Sequence, residues 1–225
     1  MLNAQIGAGE YNLVNTNVGG FIQTGKLSVD AGVLSNHSTG VLQRGTRGYF
    51  HNTSASAGIN YRINDYWNIS ARSAYDNRDF AAQNFYTPFV SDTAQETVST
   101  FWNQLQLAKQ TETKTFRLQA GYKRLNDSFA FNKASVTNQN KSHLWQVLAT
   151  EEIRLSDKIS LTPGLQYIHK KIASNDRGNH TVNQAAAFLV WNQKIGEHFF
   201  AAPAARVEWN ERAGWEFVPQ INLSY

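Results

Sequence analysis

The sequence predicts an all-β chain, an antiparallel meander of transmembrane strands from a β-barrel. Three observations carry that reading. Apolar and polar residues alternate along most of the chain, tight polar connections alternate with long ones, and aromatic residues stand near the ends of the apolar runs. Alternation with a period of two over five to ten residues marks a strand with one apolar and one polar face. Spacing at i, i+3, i+4 explains no segment better.

The strands follow in order. Leu27, Val29, Ala31 and Val33 share a face. Ala55, Ala57, Ile59, Tyr61 and Ile63 oppose Ser54, Ser56, Gly58, Asn60 and Arg62, and after Asn64-Asp65 the pattern restarts with Trp67, Ile69, Ala71 and Tyr75. Phe116, Leu118, Ala120 and Tyr122 form another such face, as do Ile159, Leu161, Pro163, Leu165 and Tyr167, and then Phe199, Ala201, Pro203, Ala205, Val207 and Trp209. Two stretches are noisier, since Asn103 interrupts the apolar face of 97–109 and Glu151 that of 144–155. Pro163 and Pro203 fall in mid-strand, where a proline removes a ladder donor, and they predict local bulges.

The connections have a longer rhythm. Tight turns are expected at Thr24-Gly25-Lys26, Asn64-Asp65, Thr111-Glu112-Thr113, Ser156-Asp157 and Gly196-Glu197, with long excursions at 36–52, 76–96, 124–141, 171–181 and 210–217. Short turns at one end and long loops at the other are the habit of outer-membrane barrels. Trp67, Phe116, Trp191 and Phe199 lie near the short turns, and Tyr75, Tyr122, Tyr167 and Trp209 lie further along the same faces. That spacing suits aromatic girdles on either side of an apolar band about 25 Å tall.

Composition agrees and excludes other classes. Of 225 residues, 17% are charged and 12% aromatic, which suits neither a disordered chain nor a helical bundle. With no cysteine, disulfides, thiolate metal sites and cysteine nucleophiles are excluded. The net charge of +4 is mild, and no Lys/Arg block forms a nucleic-acid-binding arm. No apolar run is long enough for a transmembrane helix, and residues 1–10 do not read as a signal peptide.

On the polar face Asn60, Arg72, Gln104, Gln106, Gln119, Gln166, Arg206 and Glu208 are expected to project into a lumen. The expected strands number about ten or eleven. An open sheet edge in a bilayer leaves backbone groups unpaired at several kcal/mol each. Residues 1–225 therefore read either as a miscounted closed barrel of ten or twelve strands or as a partial barrel domain, and the partial barrel is favoured. Edge-to-edge self-association, through 10–22 and 218–225, is then expected of the isolated chain.

Several stretches resemble a known family. Asp76 to Thr87 with Ser91 to Ala94, Ser174 to His180, Glu208 to Glu216 and the final Val218 to Tyr225 are similar to segments of TonB-dependent outer-membrane receptors of Bacteroidota, most of all the cobalamin-receptor-like branch. The resemblance covers nearly the whole chain. It implies part of a barrel of about 22 strands, with a plug domain and a TonB-gripped coupling segment that residues 1–225 do not contain. It also implies active uptake of a large scarce ligand, cobalamin or a metal-siderophore, across the bacterial outer membrane. The expected partners are that ligand, TonB and outer-membrane lipid. A passive porin-like channel or a small structural barrel is the alternative.

Enzymatic readings are weak. Ser174, Asp176 and His180 share one polar loop, but a nucleophile, base and acid must converge, and Asp176 to Asn179 reads more simply as a turn. The other histidines have no metal-ligand spacing. No catalytic residue and no cofactor are therefore expected. Asp76, Asp79 and Asp92 offer oxygen ligands that a calcium ion accepts, without the spacing of an EF-hand. Phe85, Tyr86, Phe89 and Trp215 are the candidate ligand contacts, as aromatics in loops where the outer ends of the strands converge.

Overall fold

A computed structural model describes residues 1–43, 45–83, 85 and 88–225. Its strands are β1 (Leu2–Gly9), β2 (Leu13–Thr24), β3 (Leu27–Ser38), β4 (Leu42–Gln43), β5 (Thr46–Arg47), β6 (Phe50–Arg62), β7 (Trp67–Ala81), β8 (Gln95–Gln110), β9 (Lys114–Ala130), β10 (Asn138–Ser156), β11 (Ile159–Ser174), β12 (Gly178–Ile195), β13 (Phe199–Asn210) and β14 (Gly214–Ser224). Twelve of them form one sheet in the order β1-β2-β3-β6-β7-β8-β9-β10-β11-β12-β13-β14, while β4 and β5 make a separate hairpin in the connection between β3 and β6. Each neighbouring pair is antiparallel, so the sheet is an unbroken meander.

The sheet holds twelve strands where ten or eleven are expected, and the added strand is at the N-terminus. Tyr11 and Asn12 adopt φ of 56° and 54°, and Leu13 N donates to Glu10 O at 3.1 Å. Two successive residues at positive φ make the tight hairpin turn whose twist matches the flanking strands. The sequence of β1 does alternate, Leu2, Ala4, Ile6 and Ala8 against Asn3, Gln5, Gly7 and Gly9, but glycine and alanine weaken the signal.

The short turns fall where expected. Two of the long excursions do not: 171–181 closes through the three residues between Ser174 and Gly178, and 210–217 through those between Asn210 and Gly214. Much of 124–141 is also strand. Strands β7 to β12 are 15 to 19 residues long, whereas a membrane crossing needs about 9–11. Trp67 begins β7 and Phe116 lies near the start of β9, so the surplus length extends past the other girdle, on the long-loop side. There the polar residues that read as loop continue the ladder.

Pro163 and Pro203 make no bulge. Register across β10 and β11 runs from Thr150↔Gly164 to Ile153↔Leu161 without a shift, and across β12 and β13 from Val190↔Ala204 to Gln193↔Ala201 likewise. Each proline lies where the pairing on one side is interrupted and keeps it on the other, Pro163 with Leu189 and Pro203 with Ile221. A proline lacks only its own N–H, so the ladder opens locally and then resumes in phase. The register does shift elsewhere, between Arg154 and Ser156.

Register carries the faces across the sheet. Leu118, Ala149, Leu165, Ala187 and Val207 are consecutive partners in one apolar row, and Gln119, Leu148, Gln166, Ala186 and Glu208 make the adjoining row on the opposite face. Leu165 is 63% exposed, whereas Ala186 is 9% exposed. On a curved sheet, side chains splay on the outer side and shelter one another on the inner side, so the polar face is the inner one. The edge strands β1 and β14 have no partner on their outer sides among the described residues.

Candidate functional site

The inner face is a wall of paired polar groups, built by strands whose inward positions carry Asn, Gln, Asp and Arg. Arg72 on β7 reaches Asp30 on β3 at 3.1 Å, passing over β6 at Gly58. A Cβ on Gly58 would stand 2.5 Å from Asp30 Oδ1, so only glycine leaves room for the bridge. The same device recurs across β12: Arg206 on β13 donates to Gln166 on β11 at 2.9 Å and to Glu208 at 2.9 Å, over the small Ala186. Such bridging between next-nearest strands suits the concave side, where their side chains draw together. Between these bridges Asn60 and Asn68 exchange two amide hydrogen bonds, and Gln119 donates to Gln106 at 2.6 Å. The residues expected in the lumen are all on this wall.

Toward the long-loop end the wall opens into a groove of about 570 Å³. Ser54, Ser56, Asp76, Arg78, Trp102 and Lys123 line it. Asp76 accepts from Ser54 Oγ and from Arg78 Nε at 2.8 Å, so its charge is already paired. Next along the wall, about 330 Å³ of space is lined by Lys123, Leu144, Lys170, Ile172 and His180. Trp102 and Lys123 are register partners on β8 and β9, and Lys170 follows on β11 beyond Leu144. None of these inward groups is a loop residue, so none is among the loop aromatics that the sequence offers as ligand contacts. Their signal was a tryptophan on the polar side of a strand, next to Phe101 on the apolar side.

The loop candidates separate. Phe85 and Phe89 lie in the connection 82–94 and are exposed, while Tyr86 falls outside the described residues. That connection has a closed neck: Ala82 N donates to Ala94 O at 2.8 Å, and both alanines are buried. Trp215 is not in a converging loop. It lies in β14, paired with Trp209 of β13 on the apolar outer face, where it extends the row of aromatic residues.

The three aspartates also part. Asp76 faces inward. Asp79, an odd number of residues away on the same strand, faces outward and accepts from Tyr49 Oη at 3.1 Å and Thr97 Oγ1 at 3.3 Å. Asp92 is buried in the 82–94 connection and accepts from Ala94 N at 3.0 Å. Among the described residues no three His, Asp or Glu side chains gather as a metal site. Asp79 and burial push the Tyr49 phenol up to about 12, burial being the larger cause. In the turn 175–177, Ser174 Oγ accepts from the N–H groups of Asp176 and Arg177, and His180 Nε2 lies 2.7 Å from Arg177 O, so these three residues cap a hairpin turn.

No protein-family model matches the sequence, and no curated protein sequence matches it. Solved structures do match in fold. The siderophore receptor PiuA from Acinetobacter baumannii aligns with a TM-score of 0.76 and 10% identity, covering 99% of this chain and 45% of that one. The siderophore receptor PirA from Pseudomonas aeruginosa aligns with 0.74 and 13%, over 94% of this chain and 36% of that one. The copper transporter OprC aligns with 0.77 and 8%, over 99% and 41%. The chain thus spans less than half the length of each of these proteins. Its fold is that of part of the 22-strand barrel of TonB-dependent outer-membrane receptors.

Proposed function

We propose that residues 1–225 are a segment of barrel wall from a gated outer-membrane receptor, which imports a large scarce ligand with energy delivered through TonB. The observation that carries this reading is the open twelve-stranded meander, apolar outside and polar inside, aligned over nearly all its length with receptors whose chains are more than twice as long. The remaining barrel strands would pair with β1 and β14, and a plug domain and coupling segment would belong to the same parent protein. The ligand is a metal-bearing chelate. Ferric siderophores are favoured by the siderophore receptors among the structural matches, and cobalamin by the sequence resemblance. Phe85, Tyr86 and Phe89 in the loop, with Arg78, Trp102 and Lys123 on the wall, are the contacts assigned to it.

The test is uptake in cells stripped of their own siderophore and cobalamin receptors and supplied with the parent protein. Iron-labelled ferric catecholate and labelled cobalamin are the two probes, each offered with and without TonB. Uptake of either probe that vanishes without TonB supports the gated receptor and names the ligand class. Uptake that persists without TonB, together with leakage of small sugars, makes the protein a passive channel and overturns the reading.

A further inference from the structure

The outer face carries a cationic cluster that the transport reading does not use. Arg124, His143 and Lys171 are consecutive register partners on β9, β10 and β11, and Lys141 lies two residues further along β10. Strands are about 4.8 Å apart and residues advance about 3.3 Å, so Arg124 and Lys171 stand roughly 10 Å apart with the His143 ring between them. They project on the same side as Leu118, Val147 and Leu165, the apolar side. Two residues back along each strand, toward the membrane, stand Tyr122, Trp145 and His169. Tyr122 and Trp145 rings are 5.2 Å apart, as are Trp145 and His169, and the His143 ring stacks on Trp145 at 5.5 Å and 11°. Aromatic rings of this kind mark the boundary between hydrocarbon and headgroups, which puts the cations at headgroup height.

Among the described residues no ion pair joins Arg124, Lys141 or Lys171, and all three are exposed. The outward acids of flanking elements are already engaged, Asp79 with Tyr49 and Thr97, and Glu211 with Asn183. Immediately beyond the cations lies a groove of about 480 Å³, its outward walls made by Thr97, Ser99, Asn126, Gln139, Lys141 and Asn179. Most of its lining side chains bear a hydroxyl or an amide, Asp127 adds a carboxylate, and Asn126 Oδ1 is buried there without a hydrogen-bond donor. Apolar wall, aromatic belt, cations and amide-lined groove follow one another along the same three strands. Acyl chains, an interface, phosphates and sugar hydroxyls would meet those four zones in that order.

We propose that this surface binds a phosphorylated glycolipid of the outer leaflet, with Arg124, Lys141 and Lys171 on its phosphates and the groove beyond them on its sugars. The site is separate from the inner wall and does not depend on which ligand the receptor imports. It does depend on the apolar face meeting lipid.

The experiment places the protein in phosphatidylcholine discs doped with bis-phosphorylated lipid A, and native mass spectrometry counts the lipid A retained. Arg124→Gln, Lys141→Gln and Lys171→Gln should each lower the apparent affinity about fivefold, and the triple variant about 100-fold. Dephosphorylated lipid A should bind wild type as weakly as lipid A binds the triple variant. A control variant, Lys158→Gln in the turn at the opposite rim, should retain lipid A like wild type. If the triple variant fails to fold, the single variants and a salt titration of wild type replace it, and binding that ignores salt counts against the proposal. Equal retention by wild type and cluster variants overturns it. So does equal loss in Lys158→Gln, phosphatidylglycerol binding as tightly as lipid A, or displacement of the lipid by inorganic phosphate alone.

Discussion

Leu165 and Gln166 are adjacent in β11, yet they belong to opposite environments. The outward row through Leu165 holds Leu118, Ala149, Ala187 and Val207, with no hydrogen-bonding side chain. The inward row through Gln166 holds Gln119 and Glu208, and Arg206 ties Gln166 to Glu208 above the buried Ala186. Backbone pairing is the same for both rows, so the ladder cannot decide which face meets water. Side-chain chemistry decides it, and a shift of one residue in register would exchange the two faces entirely.

The largest expected effect breaks that contrast directly. Leu165→Arg should destabilise the membrane-inserted protein by roughly 2–4 kcal/mol, because a cation at the midplane of the lipid face has no partner. Gln166→Arg should cost less, since water in the lumen hydrates the new cation, although the bond from Arg206 is lost. Folding titrations in lipid vesicles measure both, and equal costs would mean that the faces are misassigned.

A second change attacks the inner face by volume. A Cβ on Gly164 would stand 2.1 Å from Phe188 Cζ, its register partner on β12. Gly164→Ala should therefore cost about 1–3 kcal/mol through overpacking. The same change combined with Phe188→Ala should cost less than the two singles together, which a double-mutant cycle in the same titration reads out. Additive costs would show that the ring does not rest on the glycine.

Much of this architecture was legible in the chain, and the exceptions have physical reasons. The alternation of Leu, Ala, Val and Tyr against Asn, Gln and Arg reveals most strands of the sheet, because its two faces impose opposite requirements on adjacent residues. Past the girdle that demand ends. Asn126, Asp127, Asn140 and Asn179 extend strands where both faces are wet, and their composition reads as loop. The hairpin at Tyr11-Asn12 was missed because asparagine and tyrosine supply the positive φ without a glycine. The wall residues Trp102, Lys123 and Lys170 were missed because they break no pattern except their own position. Their proximity is set by register between strands, which no single strand's sequence shows.

Smaller effects sharpen the comparison. The Asp30–Arg72 bridge is partly exposed, so Arg72→Ala should cost no more than about 1 kcal/mol. Gly58→Ala, which pushes against Asp30, should cost at least as much; a Gly58→Ala change without effect would show that the bridge does not depend on the gap. The last effect lies away from the wall, at Tyr49, and is confined to alkaline pH. Its pKa is pushed from 10.0 to about 12, so the folded state holds the phenol proton where the unfolded state has lost it. That contribution is complete below pH about 10 and is lost as pH rises through about 12. Spectroscopic titration of the phenol should show the raised midpoint, and Asp79→Asn should lower it.

The direct test of the two-faced wall uses the absence of native cysteine. Single cysteines at Leu118, Leu165 and Val207, and at Gln119, Gln166 and Glu208, are spin-labelled in the bilayer-reconstituted protein. Their relaxation is then measured with oxygen dissolved in lipid and with a water-soluble nickel chelate. The first three should respond chiefly to oxygen and the second three chiefly to the chelate, so that accessibility alternates between neighbours. Uniform accessibility across Leu165 and Gln166, or the reverse pattern, would contradict a wall that is lipid-facing outside and water-facing inside.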